Sequence, residues 1–381
     1  MAQSIRAANP TAAHGEGVEY DHRGSSTAYT KWLLSQDVPI HGGYYVQDAR
    51  QLERAFWDLR GCPAAIVNLE GHKSVEQIYV LEVPPGESIP PFHIALEELI
   101  YVLDGQGIAT VWAEGHPKVS FEFQKHSYFR IPTNHHYQLS NTRGDQPVLT
   151  LHVNLMPLAL HSNRNTDYIF NNPLINPTEL YKEEDGKGFY SAEARAVAQG
   201  DRVRWYSNFF PDLTIFDKLD ADTTPGRLSY HAGIWFPDCA FSTELMVLPS
   251  QRFRNAHRHA AGTTIVGIQE AQGVVVMWPE GGEPVVAPWQ EGAIFVPPYH
   301  WYHLHMNTGA VENRQLRIRA PRPGANPDAD PQRMLPLTAL DPSIRQIFEG
   351  ELAKNGLTSL MPEEAYTNPN YEWDPAWLKQ D

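Results

Sequence analysis

GQGIATVWAEG (residues 105–115) and AQGVVVMWPEG (residues 271–281) stand 166 positions apart, and that register decides how the chain is built. Gly107, Trp112 and Gly115 fall on Gly273, Trp278 and Gly281. The same offset lays IPTNHHYQLSNT (131–142) on PPYHWYHLHMNT (297–308), so that Pro132, Asn141 and Thr142 meet Pro298, Asn307 and Thr308, and it lays His93 on His259. One offset held over about 50 residues marks a duplicated domain.

Each copy is a series of short runs rich in Val, Ile, Tyr and Trp, such as EELIYVLDG, GIATVW, SYFRIP and GVVVMWP, divided by Gly and Pro. No helical period lies between the runs, so an all-β sandwich or barrel is expected in each half rather than βαβ units. The expected division is an N-terminal extension (1–70), a first barrel (71–157), a linker (158–235), a second barrel (236–320) and a Pro-rich linker with a C-terminal helix and tail (321–381). NPTELYKEEDGKGFYSAEARAVAQG (176–200) is expected to carry a short helix or two. PRPGANPDADPQ reads as the Pro-rich linker. After it, Asp341 as N-cap, Pro342 in the first turn, Ile344, Ile347, Phe348 and Leu352 on one face and Gly356 as terminator predict an amphipathic packing helix.

Composition narrows the partners. The formal charge of −15 and the absence of any Lys/Arg-rich run leave no face for phosphate backbones, so nucleic acid is not expected. Cys62 and Cys239 are too few for a disulfide framework, no run approaches the roughly 18 apolar residues of a membrane span, and the N-terminus lacks the apolar core of a signal peptide. A cytoplasmic globular protein is the expectation, with homo-oligomerisation plausible through edge strands.

NAHRHAAG (255–262) places His257 and His259 two residues apart, hence on one face of a strand, where both imidazoles can reach one ion. PPYHWYHLHMN offers His300, His303 and His305 for a further ligand. HRHAAGT followed by GAIFVPPYHWYHLHMN resembles the two cupin motifs, over roughly residues 75–155 and 241–320 counting both copies, and the duplication makes the resemblance one to bicupins. It implies two small jelly-roll barrels and, position by position, His257, His259 and His303 as metal ligands. The family's fourth ligand, a Glu, falls on Thr264, and in the first copy the ligand positions hold Pro91, His93, Glu98 and Tyr137, which reads as a barrel that has lost its site.

Three neutral imidazoles leave a divalent ion its full charge and open positions, which favours an anionic chelating substrate. The resemblance to three-His bicupin dioxygenases of the gentisate and salicylate type implies one Fe(II) per chain, O2 as co-substrate and C–C cleavage of a small aromatic or dicarbonyl acid. With Mn, Zn or Ni the expectation shifts to a cupin-type lyase, decarboxylase or isomerase, and a non-catalytic small-molecule-binding bicupin is the remaining alternative. His305 shares a strand face with His303 and is the candidate base, against a packed or outward histidine. Arg317 and Arg319, with Gln315 on the same face, are the candidate carboxylate clamp, against two arginines on the barrel exterior.

Overall fold

The computed structural model describes residues 28–373, apart from short breaks at 73–74, 164, 178, 183–185, 187, 200–201, 217–218, 222–227, 260–261 and 322–333. The Pro-rich linker lies almost wholly outside the described residues. The two tandem β-barrels expected from the repeat are present, each a large sheet facing a smaller one. In the first, Ile40–His41, Cys62–Val67, Gln77–Val83, Val148–Asn154, Glu98–Asp104, Tyr128–Ile131 and Phe209–Phe210 lie side by side. The facing sheet runs His136–Asn141, Gln106–Trp112, Val119–Gln124. The second barrel repeats the plan. Arg195–Gln199, Arg202–Tyr206, Tyr230–Trp235, Ser242–Leu248, Asn313–Arg319, Thr263–Gly267, Ile294–Phe295 and Tyr45–Val46 face Arg252–Phe253, Tyr302–Asn307, Gly273–Trp278 and Val285–Trp289. Both orders interleave strands distant in sequence, which is the jelly-roll arrangement.

The period-two alternation of a strand sends its two faces to different cores. Along Glu98–Asp104, Ile100 and Val102 point into the first barrel, while Leu99, Tyr101 and Leu103 join Val266, Leu316 and Ile318 between the barrels. These strands are buried on both faces, which explains their nearly continuous apolar runs.

Each half lends a strand to the other. Tyr45–Val46, upstream of the first barrel, pairs with Ile294–Phe295 of the second, and Phe209–Phe210, from between the barrels, pairs with Tyr128–Ile131 of the first. The exchange is followed on each side by a single 3-10 turn capped by an aspartate, Asp48 over Ala49–Gln51 and Asp212 over Leu213–Ile215. The repeat thus reaches well upstream of the windows that revealed it.

Among the described residues the α-helices of the connection are Met156–Ser162 and Thr166–Phe170, ahead of the window expected to hold a helix, of which residues 178, 183–185, 187 and 200 lie outside the described ones. That window ends instead in Arg195–Gln199, whose alternating RAVAQ forms an antiparallel pair with Arg202–Tyr206. The C-terminal helix spans Pro342–Lys354, with the Asp341 carboxylate accepting the Ser343 N–H at 2.8 Å and Gly356 at φ 69° beyond its end. Ile344, Phe348 and Leu352 cover the outer face of the smaller sheet of the second barrel, against Phe253, Val274, Leu304 and Met306. No helix among the described residues is long and apolar enough to cross a membrane.

Candidate metal centre

His257 and His303 face each other as a bridged pair, each backbone N–H donating to the other's carbonyl at 3.0 and 2.9 Å, and the His300 N–H donates to the His259 carbonyl at 3.2 Å. This pins the His-x-His segment against strand Tyr302–Asn307. The imidazoles of His257, His259 and His303 converge, with one ring nitrogen from each inside a 4.8 Å circle of mutual distances. That is close to the roughly 4 Å spanned by two metal–nitrogen bonds of about 2 Å. His257 Nδ1 is buried and has no hydrogen-bond partner among the described residues. Burial, then the neighbouring His303 and Arg254, hold the His257 pKa well below its usual value, so it presents the neutral, metal-binding form. The three side chains therefore fit a divalent ion.

His305 is fully buried on the same face, its ring centroid 5.7 Å from His303 and from Trp289 and 5.8 Å from Phe295. Its Nε2 makes no hydrogen bond among the described residues. Of the two openings left for Arg317 and Arg319, the exterior one is wrong: both point inward. Arg317 is 5% exposed, donating to Glu244 at 3.3 Å and to the Met246 sulfur, and Arg319 donates to the same Glu244 carboxylate nearer the rim. Gln315 shares their face and reaches Met246 at 3.4 Å.

Arg254 was not singled out by the sequence reading, which began one residue too late. Its guanidinium is 3% exposed, donates to Met246 Sδ at 3.0 Å, and bears electrostatically on His257, His305 and His231. Glu244 was missed as well. Burial alone would push its carboxyl up, but Arg319, His231 and Arg317 hold it well below the usual range, so it is ionised. Arg254, Arg317 and Arg319 against Glu244 leave this interior with a cationic excess beside three neutral ligands.

Strand pairing corrects the fourth ligand position. Phe129 and Phe295 are equivalent at the 166-residue offset, and their partners are Ile100 and Ile265, which differ by 165. Four residues separate His93 from Glu98, so a loop shorter by one makes Thr263, not Thr264, the counterpart of Glu98. Thr264 faces the other barrel, its hydroxyl donating to Glu76 at 2.6 Å.

In the first barrel the same place is filled from within. Glu98 accepts hydrogen bonds from the Tyr79 and Tyr137 hydroxyls and from Asn154 at 3.1 Å, with Arg60 Nη1 3.9 Å away. Arg60 is 1% exposed, donates to Tyr79 and Tyr137 at 2.5 and 2.6 Å, and lies over the Phe92 ring at 3.8 Å. Burial raises the Glu98 carboxyl, and His152, Arg60 and the Tyr137 hydroxyl overcome it and bring it to about 2. The guanidinium provides the positive charge a metal would bring. His93 turns away to Asn134 (3.1 Å) and to the His136 ring (centroids 4.4 Å), so it does not join Glu98 and Tyr137.

No protein-family model matches the chain, and no curated protein matches it. Solved structures do. Oxalate decarboxylase of Lactobacillus farciminis, as a formate complex, aligns at 12% identity and TM-score 0.48, over 73% of this chain and 86% of that one. A mutant of the Bacillus subtilis oxalate decarboxylase aligns at 12% and 0.48, over 80% and 83%, and the structure of that protein at pH 4.6 at 13% and 0.47, over 80% and 82%. At such identities the two-barrel fold stands on the chain's own strand order, and the site on its own side chains.

Proposed function

We propose that this chain is a metal-dependent enzyme that breaks a carbon–carbon bond of a small aliphatic carboxylic acid, as a lyase or decarboxylase, in its second barrel. The observation that carries the reading is the placement of buried Arg254 and Arg317 beside His257, His259 and His303 in one interior. A divalent ion, which His257, His259 and His303 would hold, would supply Lewis acidity toward a carboxylate. Arg254 and Arg317 favour an anion in the same interior and orient its remaining oxygens. Glu244 holds Arg317 and Arg319 in place. His305, neutral through burial, offers a hydrogen-bonding imidazole over the substrate rather than a charge. Met246 and Gln315 fill the floor between the arginines, which suits a short acid better than an aromatic ring.

The guanidiniums also bear on the use of O2. Arg254 and Arg317 would oppose the oxidation of an anion held beside them and would stabilise negative charge developing on it. This favours the lyase over the Fe(II) dioxygenase, with Mn, Zn or Ni serving as well as iron. The dioxygenase remains the second reading because Thr263 leaves no carboxylate on the ion. We place the enzyme in the cytoplasm as a homo-oligomer acting on a small anionic substrate.

The test is a screen of short mono-, keto- and dicarboxylic acids on metal-loaded protein, recording CO2 release and oxygen uptake with and without air. Turnover that is unchanged in anaerobic buffer is expected. Stoichiometric oxygen uptake would transfer the site to the dioxygenase reading, and failure to hold any metal after reconstitution would overturn both.

A further inference from the structure

On the inner face of the large sheet of the second barrel, across from the sheet that carries His303, lies a cavity of about 210 Å3 lined by Arg204, Asp220, His231, Trp235, Ser242 and Arg319, together with Glu244 and Gly233. Arg254 links the two, bearing electrostatically on His257 at the centre and on His231 in the cavity wall. Thr263, at the fourth ligand position, is the cross-strand partner of Arg319, and Arg319 is the partner of Ser242. Two interstrand spacings, about 10 Å, therefore separate Thr263 from Ser242 at the cavity rim.

From this geometry we infer that the cavity receives the end of the substrate remote from the metal-bound carboxylate, and that this end is a neutral hydrogen-bonding group, a hydroxyl or an amide. The inference rests on the proposed metal-binding acid site and specifies its substrate class. The charges in the cavity decide the chemistry. Arg319 is paired with Glu244, Arg204 lies over the Trp235 ring at 4.2 Å, Glu244 has His231 at 3.0 Å, and the Asp220 carboxylate accepts the Val203 N–H at 2.6 Å. A second carboxylate would meet Glu244 and Asp220, and an ammonium would meet Arg204 and Arg319. A neutral donor–acceptor meets the Ser242 hydroxyl and a balanced set of charges, Arg204 and Arg319 against Asp220 and Glu244, without net repulsion. Gly233 keeps the floor open: a Cβ there would stand 3.0 Å from both the Arg204 side chain and Trp235 Nε1.

The experiment uses Co(II)-loaded full-length protein, whose visible spectrum reports ligands at the metal without turnover, titrated with hexanoate, its terminal hydroxyl and terminal amino derivatives, and adipate. The hydroxyl derivative should bind at least about fivefold more tightly than hexanoate, the increment of one hydrogen bond. The amino acid and adipate should gain nothing from their second charge. Gly233→Ala should erase the increment, and Ser242→Ala, which removes only one hydroxyl, should reduce it if the glycine variant does not fold. Equal affinity for all four acids, or an increment that survives in the folded variant, overturns this inference and leaves the metal site intact. Absence of any spectral response to hexanoate overturns the acid-binding reading itself, and this inference with it.

Discussion

Replacing His303 by Ala removes one of three converging imidazoles and the side chain opposite His257. We expect metal affinity to fall by more than about a hundredfold, beyond the 10–100-fold typical of outer-shell losses, read by competition with a chromophoric chelator. Wild-type protein should hold one ion per chain, since Arg60 already neutralises Glu98 where the first barrel would place a second. Arg60→Ala tests that statement. It leaves Glu98 buried without its guanidinium and should cost about 3–5 kcal/mol, measured by denaturant unfolding and partly restored by added guanidinium at low concentration. His257 and His259 were legible from their spacing on a strand, while His303 was picked out of His300, His303 and His305 by the resemblance to the cupin motifs. Arg254, Glu244 and Arg60 were not legible, because a lone charged residue carries no period, and only the closed barrel shows which ones face inward. Thr264 misled for a related reason: one residue fewer in a loop reverses the face of every residue after it in the strand.

At the scale of elements, the exchanged strands should make the two barrels a single cooperative unit. Phe210 is 1% exposed and packs against Phe236 at 5.8 Å while its strand completes the first barrel. Phe210→Ala should cost about 3–5 kcal/mol and lower one unfolding transition shared by both halves. Two separable transitions in calorimetry would contradict the coupling. Two-residue strands are below the reach of periodicity, so neither Tyr45–Val46 nor Phe209–Phe210 was visible beforehand, whereas the longer runs and the capped C-terminal helix were. The connection between the barrels also looked irregular in sequence because its strands are short and half exposed.

For the whole molecule, acid should be the destabilising direction. The Glu98 carboxyl lies at about 2 in the fold, below its unfolded value near 4, so its contribution is complete above about pH 4 and is lost as pH falls toward 2. His72 adds to this at milder acidity. It is fully buried between the barrels, its Nδ1 accepting the Leu69 N–H at 2.9 Å, and burial holds it at about 3, below the unfolded value near 6.5. An imidazole kept neutral in the fold but free to protonate when unfolded loses stability as pH drops below about 6.5. Denaturant midpoints should therefore decline from pH 7 to pH 4, and His72→Gln should flatten the upper part of that decline.

The ion pair between Lys125 and Glu291, at 2.9 Å, joins two residues that are themselves 166 apart and so occupy the same position in the two copies. For equivalent positions to touch, the axis relating the halves must run between them, and the chain has put opposite charges on it. Were the halves produced as separate polypeptides, a pair of first halves would bring two lysines together there and a pair of second halves two glutamates, while only the mixed pair would match. The pair thus acts as a lock that each half can close only with the other.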